Sequence, residues 1–135
     1  MNFGVINYII WDARTSLKDC KLIHRIEIKN RKPYKEGRCA SIVKMIGEDL
    51  KIDVADITIV RAYNLFGEFS ESELLKIKEE LFCDAICQDG VLGFAFAKEL
   101  RYDFAVEISY KSGVTDNVGR TASRGISDIL GRHIE

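Results

Sequence analysis

Leu22-Ile23-His24-Arg25-Ile26-Glu27-Ile28 alternates with the period of a strand: Leu22, His24, Ile26 and Ile28 share one face, and Ile23, Arg25 and Glu27 the other. One side is expected to face a core. Eighty positions on, Ile26-Glu27-Ile28 is echoed by Val106-Glu107-Ile108, inside a second alternating run in which Phe104, Val106, Ile108 and Tyr110 share a face with Ala105, Glu107 and Ser109 between them. The echo continues past the loop. Gly37-Arg38-Cys39-Ala40-Ser41 corresponds to Gly119-Arg120-Thr121-Ala122-Ser123 at a separation of eighty-two, so the second loop is two residues longer. A matched strand followed by a matched helix start reads as a duplicated strand-loop-helix module.

Between the two copies the first module fills out. After the loop Lys29 to Lys35, apolar residues at Cys39, Ile42, Val43, Ile46 and Leu50 form one stripe of a helix from about Glu36 to Leu50. Ile57 to Phe66 is β-branched and aromatic, reading as one bent strand or as two separated near Arg61. Ser70-x-x-Glu73 is a capping box with Phe69 and Leu74 as its hydrophobic staple, so a helix begins at Ser70 and carries Leu74, Ile77, Leu81 and Phe82 on its buried stripe. Asp84 to Gln88 is short enough only for an edge strand, and Asp89-Gly90 closes the unit with a turn. Val91 to Arg101 reads as an irregular or hairpin connection through Gly93. A final helix carries Ala122, Ile126, Ile129 and Leu130 to a stop at Gly131. The pattern is α+β: a largely antiparallel sheet with helices on one face. The second unit ends after strand and helix and must find its sheet partner elsewhere.

The 135 residues are 47% hydrophobic and 30% charged, which supports a real core and excludes disorder. Lys plus Arg at 20 against Asp plus Glu at 21 leaves 20 − 21 = −1, too little positive charge for nucleic acid or an anionic membrane to be a principal partner. Two histidines and four cysteines leave few metal ligands or triad bases. Cys83-x-x-x-Cys87 lacks the spacing of zinc knuckles or thioredoxin-like sites, and reduced thiols are expected. Met1 to Trp11 has no basic residue before its short apolar run, which Asn7 interrupts, so it is not read as a secretory signal. No stretch approaches the ~20 apolar residues of a membrane span, and a cytoplasmic location is expected.

The segment Gly113-Val114-Thr115-Asp116-Asn117-Val118-Gly119-Arg120 is the candidate docking or anion-binding loop, because it sets two glycines, an Asx pair and an arginine where a strand hands over to a helix N-terminus. It is not a Walker loop, since no Gly-Lys-Ser/Thr follows. The plainer reading is that Asp116 or Asn117 caps the helix. Glu27 and Glu107 occupy equivalent strand positions, where carboxylates on a sheet's outer face are ordinarily solvated rather than catalytic. His24 is expected to pack beside the sheet, and His133 to lie in a frayed tail. Arg61-Ala62-Tyr63 has the residues to orient a partner's polar groups, although snorkelling at a strand end is the more ordinary use. No catalytic residue and no metal ligand is assigned.

Val60-Arg61-Ala62-Tyr63-Asn64-Leu65, Ser70-Glu71-Ser72-Glu73-Leu74, Leu81-Phe82-Cys83-Asp84-Ala85, Val106-Glu107-Ile108 and Gly113 to Ala122 follow one another in an order and spacing that resembles the N-terminal region of phosphoribosylformylglycinamidine synthase. The likeness spans about Lys21 to Gly131, and Gly-Val-Thr-Asp-Asn-Val-Gly-Arg is its most specific piece. It implies a PurS-like two-layer sandwich, partly duplicated: an extension over residues 1–20, a first unit with its connection over 21–100, and the start of a second over 101–135. For the complete enzyme it implies ATP- and magnesium-dependent conversion of formylglycinamide ribonucleotide to the amidine, using ammonia from glutamine. For this chain it implies a non-catalytic role, without a cofactor of its own, bridging synthetase and glutaminase domains or subunits and supporting ammonia transfer, with homodimer formation. The first loop, Lys29 to Lys35, lacks the Gly-Val-x-Asp pattern of the second. A different reading of the same residues is a free-standing regulatory or small-ligand module whose helix N-termini hold an anion.

Overall fold

The computed structural model describes residues 23–108, 110 and 114–134, without the side chains of 97 and 98. The extension 1–20, Leu22 and Gly113 lie outside the described residues. In chain order the elements are β1 (Ile23–Asn30), α1 (Arg38–Met45), β2 (Val60–Phe66), α2 (Glu71–Ile77), β3 (Gln88–Leu92), α3 (Ala95–Glu99) and α4 (Asn117–Leu130). One π-helical turn extends α1 over Ile46–Leu50, and another extends α2 over Lys78–Phe82. Among the described residues the fold is α+β, with a three-stranded antiparallel sheet in the order β2-β1-β3.

Strand β1 sits at the centre, with Ile26 opposite Tyr63 on one side and Leu92 on the other. Its alternation sends Ile26 and Ile28 to the face covered by α2 and α4, where they meet Leu65, Leu74, Ile77 and Ile126 in one core. Ile126 near the end of the chain thus shares one core with β1 at its start. The close approach of α4 to the end of α2 needs a glycine: a Cβ on Gly125 would lie 2.7 Å from Leu81 Cδ1. The capping box opens α2 as the sequence predicts, with Ser70 accepting from the Glu73 N–H and Glu73 from the Ser70 N–H at 2.8 Å. Gly131, at φ 65°, ends α4.

Four expectations are corrected. Strand β3 begins at Gln88, not Asp84, because the Asp84 carboxylate accepts from the N–H groups of Ile86 and Cys87 and holds 85–87 in a turn. Asp89-Gly90 consequently lies inside the strand, where Gly90 faces Ile28 at a distance that leaves no room for a Cβ. The tail after α4 is not frayed: Ile134 packs against the core, its carbonyl accepting from Ser123 Oγ and its N–H donating to Ser127 Oγ. The stripe on α1 is only partly covered, with Cys39 buried and Leu50 exposed.

The fourth correction matters most. Residues 104–108 belong to no strand among the described residues, and their burial is the reverse of that expected. Phe104 is 90% exposed, and Val106, Ile108 and Tyr110 are each more than half exposed, whereas the Glu107 side chain is 6% exposed. The second face of the sheet, carrying Arg25, Glu27 and Lys29, is therefore not open. Phe94 and α3 lie over it, with Phe96 buried, and Glu107 reaches it from residues 104–108.

Candidate functional site

The loop ahead of α4 is built by its cap. Asp116 accepts from the Gly119 N–H at 2.8 Å, and its carbonyl accepts from the Arg120 N–H. Gly119 permits this, since a Cβ there would lie 2.5 Å from Asp116 Oδ2. Thr121 Oγ1 donates to the Asn117 carbonyl. Val114, Thr115, Asp116, Asn117 and Arg120 are exposed, as is Val118. Helix α1 starts differently: it begins only after Gly37, and no side chain caps it. At α4 the Asp116 carboxylate already occupies part of the positive helix end, so an incoming anion meets a negative neighbour.

The most tightly built polar cluster lies under Phe94. Arg25 Nε donates to Glu27 Oε1 at 2.9 Å and Nη1 to Glu107 Oε1 at 3.5 Å, with Arg25 and Glu27 buried and the Phe94 ring stacked 4.6 Å from the guanidinium. Glu27 Oε2 also accepts from the backbone N–H of Phe96, which ties α3 to β1. Glu107 Oε2 is buried without a hydrogen-bond partner. Sequence reading placed both glutamates in solvent. The signal it passed over was Arg25 itself, a cation two residues from Glu27 on the same strand face. Two carboxylates held on one guanidinium tie α3 and residues 104–108 to β1.

A cleft of about 570 Å³ runs along β3, with Lys29, Arg31, Lys78, Cys83, Asp89 and Phe96 in its wall. Its charges are largely matched. Arg31 Nε donates to Asp89 at 2.6 Å and Lys29 Nζ lies 3.7 Å from the same carboxylate, which holds the Asp89 carboxyl below its ordinary range. Burial pushes the thiols of Cys39, Cys83 and Cys87 upward, away from the thiolate form a nucleophile needs. All three are free, and no group of metal-ligating side chains occurs among the described residues.

The remaining candidates are structural in their contacts. Arg61 pairs with Glu36 at 3.3 Å, a carboxylate that also takes Arg38. Tyr63 stacks on Phe82 with centroids 4.0 Å apart, and burial raises its pKa. His24 packs edge-on against Phe69, its Nε2 3.2 Å from the Gly67 carbonyl oxygen, beside the sheet as expected. His133 is exposed.

Architecture and contacts together define an α+β fold, in which the polar candidates described above make caps, ion pairs and hydrogen bonds. No family model, no curated protein and no solved structure matches the chain. No described helix is long and apolar enough to cross a membrane.

Proposed function

We propose that this chain is a non-catalytic, PurS-like assembly domain of phosphoribosylformylglycinamidine synthase, bridging synthetase and glutaminase parts and supporting ammonia transfer in purine biosynthesis. The observation that carries the reading is the unequal use of the second module. Its helix α4 contributes Ile126 to the core of the first, while residues 104–108 find no sheet partner among the described residues. A module built this way joins parts together. The candidate loop, in which residues 114–118 and Arg120 are exposed, is the docking element in this reading, and ATP and magnesium belong to the synthetase part. A second copy of the chain pairs along an open edge of the sheet.

The test is biochemical. The purified chain is expected to hydrolyse neither glutamine nor ATP, and calorimetry with ATP, ADP and formylglycinamide ribonucleotide is expected to be silent. Turnover that persists through repurification overturns the proposal. Nucleotide binding abolished by Arg120→Ala overturns it too, in favour of a free-standing module that holds an anion at a helix N-terminus.

A further inference from the structure

The cleft along β3 passes round an open strand edge. Its wall includes Lys78 and Cys83, which lie on the sheet face of Ile28 and Gly90, and also Phe96, which lies on the opposite face under Lys29. A sheet separates its two faces, so one cavity reaches both only around the outer edge of β3. The sheet order leaves that edge without a neighbouring strand among the described residues. The register says which groups are offered there. The Gly93 N–H donates to the Arg25 carbonyl and the Arg31 N–H to the Cys87 carbonyl, so the odd-numbered residues of β3 bond to β1. Gly90 and Leu92, at the alternate positions, direct their N–H and C=O groups to the open edge instead.

We propose that this edge takes up an extended peptide as a further strand, one that alternates apolar with acidic side chains. An added strand sends successive side chains to opposite faces. On one face they meet Val91 and the Phe96 ring, where the Lys29 ammonium is already held by Asp89 and by the ring itself. On the other they meet Lys78. Its side chain is 16% exposed, and its ion-pair partner among the described residues, Glu79, is the next residue and 67% exposed. An ammonium with one such partner keeps donors for an incoming carboxylate. Main-chain pairing then supplies affinity, and the two walls supply specificity. The end of α2 and α3 stand on either side of the edge. A second folded copy would bring the helices that cover its own sheet against these walls, and a lone peptide brings none. This inference does not rest on the assembly reading.

The probe is the peptide acetyl-Val-Glu-Val-Glu-Val-Glu-amide, titrated into the isotope-labelled full chain and followed by nuclear magnetic resonance. Saturable shifts of the Gly90 and Leu92 amide signals are expected. The charge-reversed peptide, with lysine in place of glutamate, is expected to bind about tenfold more weakly, and Lys78→Glu to invert that preference. The acidic peptide N-methylated throughout keeps its charges but cannot pair as a strand, and it is expected not to bind. That comparison uses the parent chain, so it stands even where Lys78→Glu disturbs the fold. Unmoved Gly90 and Leu92 signals at millimolar peptide overturn the proposal. Binding that survives N-methylation overturns it as well, by making the contact one of charge alone, as does equal binding of the two unmethylated peptides to the parent. Shifts of the same amides that follow protein concentration in place of peptide put a second copy on the edge and overturn the peptide as its occupant.

Discussion

Glu27 and Glu107, eighty residues apart in sequence, hold the same guanidinium: Arg25 lies 2.9 Å from one and 3.5 Å from the other. Their environments differ in a way that sets their worth. Glu27 is fully buried and takes a second hydrogen bond from the Phe96 N–H, whereas Glu107 leaves one oxygen unpaired. Removing Arg25 strands the Glu27 charge, and breaking a buried pair from one side typically costs about 3–5 kcal/mol. Arg25→Met is therefore expected to destabilise by roughly that amount in urea unfolding. Glu27→Gln follows it, and Glu107→Gln, already half unsatisfied, costs least. An equal loss for the two glutamate variants would contradict this ordering.

The same cluster shows why part of the fold was legible in the sequence and part was not. Ser70 and Glu73 declare their helix locally, because the cap is made between residues three apart; Gly131 declares a stop by its backbone freedom. The period of two in Phe104 to Tyr110 is equally plain, yet alternation only separates two faces and does not say which one turns inward. That depended on Arg25, a partner 82 residues away. The Asp84 turn was hidden for a related reason: its carboxylate competes locally with strand pairing and delays β3 to Gln88. The Asp116 cap was readable for the same local reason, since it is made to Gly119 three residues on.

Gly90 tests the placement of β3. A methyl group there would lie 2.7 Å from Ile28 Cδ1 and 3.2 Å from Cys83 Sγ, on the sheet face that the end of α2 covers. Gly90→Ala is expected to cost about 1–3 kcal/mol through overpacking. Ile28→Val in the same chain should recover part of that loss, because it removes the methyl in closest contact. A neutral Gly90→Ala would place Asp89-Gly90 outside the strand after all.

The carboxylates predict the acid response. Glu73 is held below its ordinary range first by the Ser70 N–H, then by the Ser70 hydroxyl and Arg132, and Asp84 by the N–H groups of Ile86 and Cys87. A carboxyl with a lower pKa folded than unfolded adds stability above its unfolded pKa and loses it as the pH falls through the folded value. The urea midpoint should therefore drop from about pH 6 to about pH 3, and Glu73→Gln should shrink the drop while lowering the midpoint at neutral pH. Ser70→Ala, which removes the other half of the box, is expected to cost about 1 kcal/mol.

Association tests the sheet edges. Strand β2 has β1 on one side and an open edge on the other among the described residues, and it ends at Phe66, 69% exposed. Such an edge offers unpaired N–H and C=O groups to a second copy, and lysine is the residue that natural edges use to refuse it. The parent chain is expected to sediment as a dimer at high concentration. Asn64→Lys/Phe66→Lys, at two exposed positions of β2, is expected to shift it to monomer without loss of secondary structure. Val106→Asp and Ile108→Asp, at two exposed positions, should leave the dimer in place, because they lie on the segment covering the sheet face and not on its edge. A strictly monomeric parent would remove the second copy from the proposed assembly, and a dimer broken by Val106→Asp or Ile108→Asp instead would move the interface from β2 to residues 104–108.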